Sequence, residues 1–186
     1  GPIARTVSTT TLLDRIAREF GVEVIETPVG FKYQAQAMLE QDAILAGEES
    51  GGLSIAGHIP EKDGILACLL MAEVTAHYGK PLSAVLEDID QEYGRLYTRR
   101  LDFHCTAAVK EAVLQKMQDS APKELAGHMV KDIVGIDGYK YVLGNGSWLL
   151  VRASGTESLF RIYGEAESQQ ELDTLQHALA YQLGLQ

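Results

Sequence analysis

Long apolar runs, basic charge, cysteine and tryptophan are all scarce in this chain of 186 residues. The longest apolar stretch, Ile65 to Ala72, falls far short of the roughly 18 to 20 residues that cross a bilayer. The N-terminus has neither the basic start nor the apolar segment of a secretory signal. A soluble, cytoplasmic protein with no membrane partner is therefore expected. Only 16 basic side chains stand against 26 acidic ones, for a net charge of −10. That balance argues against a broad basic surface, so no nucleic-acid partner is expected and any anion must be gripped locally. The two cysteines, Cys68 and Cys105, lie far apart without metal-ligand spacing, and Cys68 sits inside the longest apolar run. Both are expected as reduced core thiols.

What is present is enough apolar material, 46% of residues, for real cores. The charge is uneven: residues 1–93 hold 15 acidic and 6 basic side chains, which accounts for nearly all of the excess. A segment of mixed character containing the Arg99-Arg100 pair marks the seam. The expected organisation is a domain over 1–93, a linker or hinge over 94–103 and a second domain over 104–186.

In the first half, Ile3 to Ser8, Val22 to Glu26 and Ala43 to Ala46 read as strands. They alternate with helical patterns at Thr11 to Phe20, at Tyr33 to Glu40 and from a capping Asp63 onward. Such alternation predicts a parallel sheet with helices on its faces, and ligands bind such sheets at the loops after the strands. The first strand begins abruptly, and Gly1-Pro2 has the look of a cleaved-tag remnant, so a piece of a longer chain is expected. In the second half a helix over Thr106 to Gln118 precedes a meander: Met129 to Ile136, Tyr139 to Leu143, Trp148 to Arg152 and Leu159 to Glu165. Asp137-Gly138 and Asn145-Gly146 supply its hairpin turns. A helix from Gln169 to Leu183 closes the chain. The fold class expected is α/β followed by α+β: a partial parallel-sheet α/β/α domain, then a small C-terminal domain with an antiparallel sheet packed by helices.

Two constellations carry chemistry. Gly47-Glu48-Glu49-Ser50-Gly51-Gly52 follows a buried strand, and its carboxylates and hydroxyl suit vicinal sugar hydroxyls while the glycines allow close approach. The alternative is an ordinary surface turn. In Arg152-Ala153-Ser154-Gly155-Thr156-Glu157-Ser158-Leu159-Phe160-Arg161, two guanidinium groups flank hydroxyls and backbone N–H groups that suit one phosphate. The alternative is a β-turn with surface arginines. Thr27-Pro28-Val29-Gly30-Phe31-Lys32 offers a further anion site with Lys32 as a point charge. His58 and Ile59 to Gly64 read mainly as the capped approach to a helix.

These segments and Ile59-Pro60-Glu61-Lys62-Asp63-Gly64, in this order, resemble the α-D-phosphohexomutase family, the phosphoglucomutases and phosphomannomutases. The resemblance covers nearly the whole chain, as most of a third domain and an entire fourth. It implies a hexose 1-phosphate to 6-phosphate interconversion through a bisphosphate intermediate, which also serves as activator. By the same resemblance Glu48, Ser50 and Lys32 bind the sugar, and Arg152, Ser154, Gly155, Thr156 and Arg161 bind phosphate. The family loop commonly has Pro where this chain has Ser158.

The family's phosphoserine and its Mg2+-binding Asp loop belong to its first two domains. Neither pattern occurs here, so the resemblance implies no catalytic and no metal residue in this chain. It implies a phosphohexose substrate, Mg2+ in the full-length enzyme, and the missing N-terminal domains as partners. The chain alone is expected to be inactive. The alternative is a non-catalytic sugar-phosphate-binding module. Glu48-Glu49-Ser50 leaves glucose and mannose as equal alternatives.

Overall fold

The computed structural model describes every residue except Thr156 and Gln186. The chain divides into two compact units, residues 1–95 and 96–186.

In the first unit, β1 (Ile3–Thr6), β2 (Val24–Thr27) and β3 (Leu45–Gly47) are parallel, with β1 between the other two. A fourth strand, β4 (Leu53–Ile55), returns antiparallel along β3, giving the order β2-β1-β3-β4. The sheet is thus mixed. Three residues are too few for periodicity to reveal, so β4 is absent from the sequence reading. Helices α1 (Leu12–Glu19) and α2 (Phe31–Glu40) serve opposite faces. Adjacent strand residues point to opposite sides: Ala4 packs with Phe31 and Ala37 of α2, whereas Arg5 reaches Asp14 of α1. Arg5 is buried and donates to Asp14 at 2.6 and 2.8 Å and to Glu26 at 2.7 Å. These carboxylates hold its guanidinium pKa above the ordinary value even though burial alone opposes the charge.

Asp63 caps α3 (Gly64–Tyr78) as expected, accepting from the backbone N–H of Ile65 at 2.8 Å and of Leu66 at 3.2 Å. Gly79, at φ +63, ends α3, and α4 (Leu82–Tyr93) follows Pro81. The expectation of a core thiol at Cys68 is wrong. That side chain is exposed, and α3 buries none of its residues: Ile65 is 75% and Leu69 63% exposed. The helix packs on β4 and α4, and neither neighbour encloses it.

The second unit is a six-stranded antiparallel sheet in the order β5-β10-β9-β8-β7-β6. Its strands are β5 (Tyr97–His104), β6 (Glu124–Leu125), β7 (His128–Val134), β8 (Tyr139–Leu143), β9 (Trp148–Ala153) and β10 (Leu159–Ala166). Helices α5 (Ala107–Asp119) and α6 (Gln169–Leu183) complete it. Leu172, Leu175 and Leu179 of α6 are fully buried against Leu149, Phe160 and Ile162. Close contact requires Gly164, where a Cβ would lie 2.7 Å from Leu149 Cδ2 and 2.8 Å from Leu172 Cδ1.

Most of the segment expected as a linker over 94–103 is strand: Tyr97 to His104 pair with β10 along its whole length. Its residues alternate between half-buried and exposed, and Arg99 stands on the half-buried side because Gln176 and Asp173 of α6 accept from it at 2.7 and 2.6 Å. A charged residue in a covered row disguises the period. Cys105 is partly buried against this core.

Candidate functional site

The first unit gathers its polar groups where parallel strands end. Gly47 and Leu53 are register partners, so Glu48 to Gly52 form a tight hairpin turn. Glu48 N–H donates to the Gly52 carbonyl at 2.9 Å, and Gly51, at φ +88, supplies the left-handed step. The Glu48 side chain is only 7% exposed. Its Oε2 lies 3.5 Å from Lys62 Nζ and accepts from the Ser50 hydroxyl at 3.4 Å. Gly52 lies close against both Glu48 and Lys62, since a Cβ there would approach Glu48 Oε2 to 3.0 Å and Lys62 Cδ to 3.1 Å. Glu49 takes different partners: its Oε2 accepts from Ser8 at 3.0 Å and from Thr6 at 3.5 Å.

Lys32 sits in the first turn of α2 with its Nζ 4.7 Å from the centre of the Tyr33 ring. Its cation lies against an aromatic face, whereas the cation beside Glu48 is Lys62. His58 performs the structural task expected of it, pairing with Asp63 at 3.0 Å. The Leu66 N–H, then His58 and the Ile65 N–H, hold the Asp63 carboxyl below its ordinary pKa. A cavity of about 180 Å3 beside the turn is lined by Glu48 and the turn glycines on one side and by the apolar Ile3, Leu13, Leu45 and Leu53 on the other.

Sequence reasoning missed Lys62, Ser8 and Thr6. The run Ser8-Thr9-Thr10-Thr11, at the carboxyl end of a parallel strand, was the available signal. Lys62 lies in the Ile59 to Gly64 segment that carries the resemblance, but its partner Glu48 arrives through the β3–β4 turn, which spacing does not reveal.

In the second unit the sheet sets Arg152 and Arg161 directly opposite each other, as register partners on β9 and β10. Like charges so placed repel, and each finds a carboxylate: Arg152 Nε donates to Asp137 at 2.8 Å, and Arg161 donates to Glu157 at 3.4 Å. Arg161 keeps a buried Nε that has no hydrogen-bond partner among the described residues. Leaving such a charged donor unused is costly.

Ser154 is buried and its hydroxyl accepts from the Glu157 N–H at 3.2 Å, closing the turn. Lys110 of α5 donates to the Ser154 and Glu157 carbonyls at 2.6 and 3.1 Å, a brace that sequence reasoning also missed. Gly155 is exposed, and a Cβ on it would meet nothing within 4 Å. Thr156, the remaining residue expected to bind phosphate, lies outside the described residues.

Among the described residues no three His, Cys, Asp or Glu side chains come together that could hold a metal ion. Asp88 pairs with Lys80, and Asp90 lies 3.5 Å from Arg95. The turn of the first unit thus presents carboxylates and a hydroxyl, and the second unit sets two guanidinium groups side by side on neighbouring strands.

Comparison with known proteins gives the family. Residues 1–93 match the family model for the alpha/beta/alpha domain III of phosphoglucomutase/phosphomannomutase, and residues 107–182 match that for its C-terminal domain. The chain is 32% identical over 171 residues to a phosphoglucomutase/phosphomannomutase of Thermococcus kodakarensis, covering 92% of this chain and 35% of that protein. It is 32% identical over 179 residues to a phosphoglucomutase of Komagataeibacter xylinus, covering 88% and 32%. A solved structure from Thermus thermophilus, described as a phosphomannomutase, superposes with a TM-score of 0.79 at 31% identity, over 99% of this chain and 36% of that one. The chain therefore belongs to the phosphoglucomutase/phosphomannomutase family, whose members are sugar-phosphate isomerases. It spans about a third of the length of the relatives it matches.

Proposed function

We propose that this chain is the sugar- and phosphate-binding portion of a phosphohexomutase that interconverts hexose 1-phosphate and hexose 6-phosphate through a bisphosphate intermediate. The observation that carries the reading is the opposed pair Arg152 and Arg161 with its unused buried donor, an arrangement that an anion would relieve. Glu48 and Ser50 accept and donate hydrogen bonds to the sugar hydroxyls, and Lys32 swings from the Tyr33 ring toward the ligand. Arg152, Arg161, Gly155, Ser154 and Thr156 hold the phosphate that is not being transferred. Asp137 and Glu157 are the carboxylates it displaces.

Recognition by hydroxyls and phosphate alone serves both orientations of a bisphosphate, as the interconversion demands. The phosphoserine and the Mg2+ that perform the transfer belong to other domains of a cytoplasmic full-length enzyme. Residues 94–96, between α4 and β5, are the hinge. No described helix is long and apolar enough to cross a membrane.

Phosphoryl transfer needs nucleophile, metal and phosphate clamps assembled together. The chain alone is therefore expected to show no mutase activity with glucose 1-phosphate, even with Mg2+ and glucose 1,6-bisphosphate. Turnover in a preparation free of host mutase would refute this division of labour. A native protein whose intact mass equals that of this chain would instead favour a non-catalytic sugar-phosphate-binding module.

A further inference from the structure

The end of β1 and the loop after it bury three hydroxyls that the proposed reaction does not use. Thr6, Ser8 and Thr9 are each at most 5% exposed. They are linked to one another, with Thr9 Oγ1 2.8 Å and Ser8 Oγ 3.0 Å from Thr6 Oγ1. Buried hydroxyls need partners, and three of them bonded only in a row still hold one proton more than they can use. The Glu49 carboxylate takes it, 3.0 Å from Ser8 and 3.5 Å from Thr6. An ionised carboxylate only accepts, so Ser8 and, at the longer distance, Thr6 donate to Glu49, while either hydroxyl can donate in the Thr6–Ser8 and Thr6–Thr9 contacts. Glu49 is otherwise an exposed residue in a glycine-flanked turn, free to face water. Its neighbours Glu48 and Ser50 turn instead to Lys62 and to each other.

We infer that Ser8, backed by Thr6 and Thr9, is a positioning residue: by anchoring Glu49 it fixes the rotation of the Glu48–Gly52 turn and so presets Glu48 and Ser50 for the sugar. The binding cost of ordering the turn is met during folding and not on encounter with the ligand. This inference rests on the reading of that turn as the sugar grip.

The test uses the full-length enzyme carrying this chain, with glucose 1-phosphate as substrate. Ser8→Ala is expected to lower kcat/KM about tenfold, mainly through KM, with little change in Tm, since it removes a hydrogen bond to a charged acceptor. Ser8→Thr, which keeps the hydroxyl, should stay within about twofold of wild type. Glu49→Ala, at an exposed side chain, should reproduce the Ser8→Ala effect, and the double variant should add little, as coupled partners do. A lower Tm with unchanged kcat/KM, or additive losses, would overturn the positioning role. Glu48→Ala separates the two failures. If it raises KM while Ser8→Ala does not, the inference alone fails; if Glu48→Ala also leaves KM unchanged, or the full-length protein lacks mutase activity, the sugar-grip reading fails with it.

Discussion

The two units bury different things. The second closes around large apolar side chains, among them Tyr141, Trp148, Leu149, Phe160, Ile162, Leu172, Leu175 and Leu179. In the first, Phe31 is accompanied by Ala4, Ala37, Ala43 and Ala46, and the rest of the buried set is rich in polar groups: the hydrogen-bonded Arg5, Thr6, Ser8, Thr9, Thr27 and Ser54, and Gln34, whose amide has no hydrogen-bond partner among the described residues. The longest apolar run of the chain, on α3, is left exposed. Apolar burial of the second kind supplies stability without direction, whereas hydrogen-bonded burial of the first kind supplies direction with modest net stability. The first unit's interior ties its loops by hydrogen bonds and ion pairs, and the second's packs apolar side chains beneath β9 and β10, the strands that carry Arg152 and Arg161.

The largest effect should separate the units by stability. Leu175→Ala, at a fully buried site, is expected to cost about 2–5 kcal/mol. Leu69→Ala, on exposed α3, should stay within about 0.5 kcal/mol. Urea unfolding followed by far-UV circular dichroism measures both, and Trp148 fluorescence adds a probe confined to the second unit. Equal costs would erase the contrast.

Arg5→Met probes the polar interior. Breaking a buried pair costs about 3–5 kcal/mol when its partners are sealed from water, but Asp14 and Glu26 are 32% and 22% exposed. Water therefore screens them, and about 2 kcal/mol is expected, read as faster hydrogen exchange in β1 and α1. Protection that survives unchanged would show that the ion pairs are not what holds α1 to the sheet.

Tyr141 sharpens the comparison from the other side. Its hydroxyl is buried without a hydrogen-bond partner among the described residues, and burial pushes its pKa up to about 12. A raised folded-state value means a stability contribution fully present below the ordinary phenol value near 10 and lost as pH rises from there through about 12. Tyr141→Phe should be near-neutral at pH 7 and should flatten the fall in stability between pH 10 and 12. An unchanged alkaline slope in Trp148-monitored unfolding would contradict this.

The smallest effect belongs to Asp63. Its lowered folded-state pKa gives stability that is present above the ordinary carboxylate value of 3.8 and lost as pH falls through the lower folded value. Asp63→Asn keeps a capping oxygen but loses the charge, so it should be slightly less stable than wild type at neutral pH, with the difference vanishing as pH falls through that window and the acid slope shallower. A shift at pH 7 as large as that of Arg5→Met would contradict it.

Legibility in the sequence follows the same division. The second unit can be read closely because period and punctuation agree: Asp137-Gly138 and Gly144-Asn145-Gly146 turn where expected, and α6 runs from Gln169 to Leu183 as its leucine spacing requires. Where charge crosses the period, as at Arg99 in β5, a strand reads as a linker. In the first unit the parallel strands and the Asp63 cap are visible, but β4 is too short to announce itself. The apolar run on α3 misleads because hydrophobicity reports what a helix can bury and not what lies beside it. The candidate site residues are proposed from residue type and loop position. Lys62, Ser8 and Lys110 are not, because their contacts depend on how the chain returns: Ser8 meets Glu49 across 41 positions and Lys110 meets Ser154 across 44.

The most direct test of the division between the units is a calorimetric titration of this chain with inorganic phosphate and, separately, with glucose 6-phosphate, in wild type, Arg152→Ala and Glu48→Ala. Removing a charge-assisted hydrogen bond worth about 1.5–3 kcal/mol should make Arg152→Ala at least tenfold weaker for both ligands. Glu48→Ala should be weaker for glucose 6-phosphate alone. Phosphate affinity untouched by Arg152→Ala, or reduced by Glu48→Ala as much as that of the sugar phosphate, would contradict it.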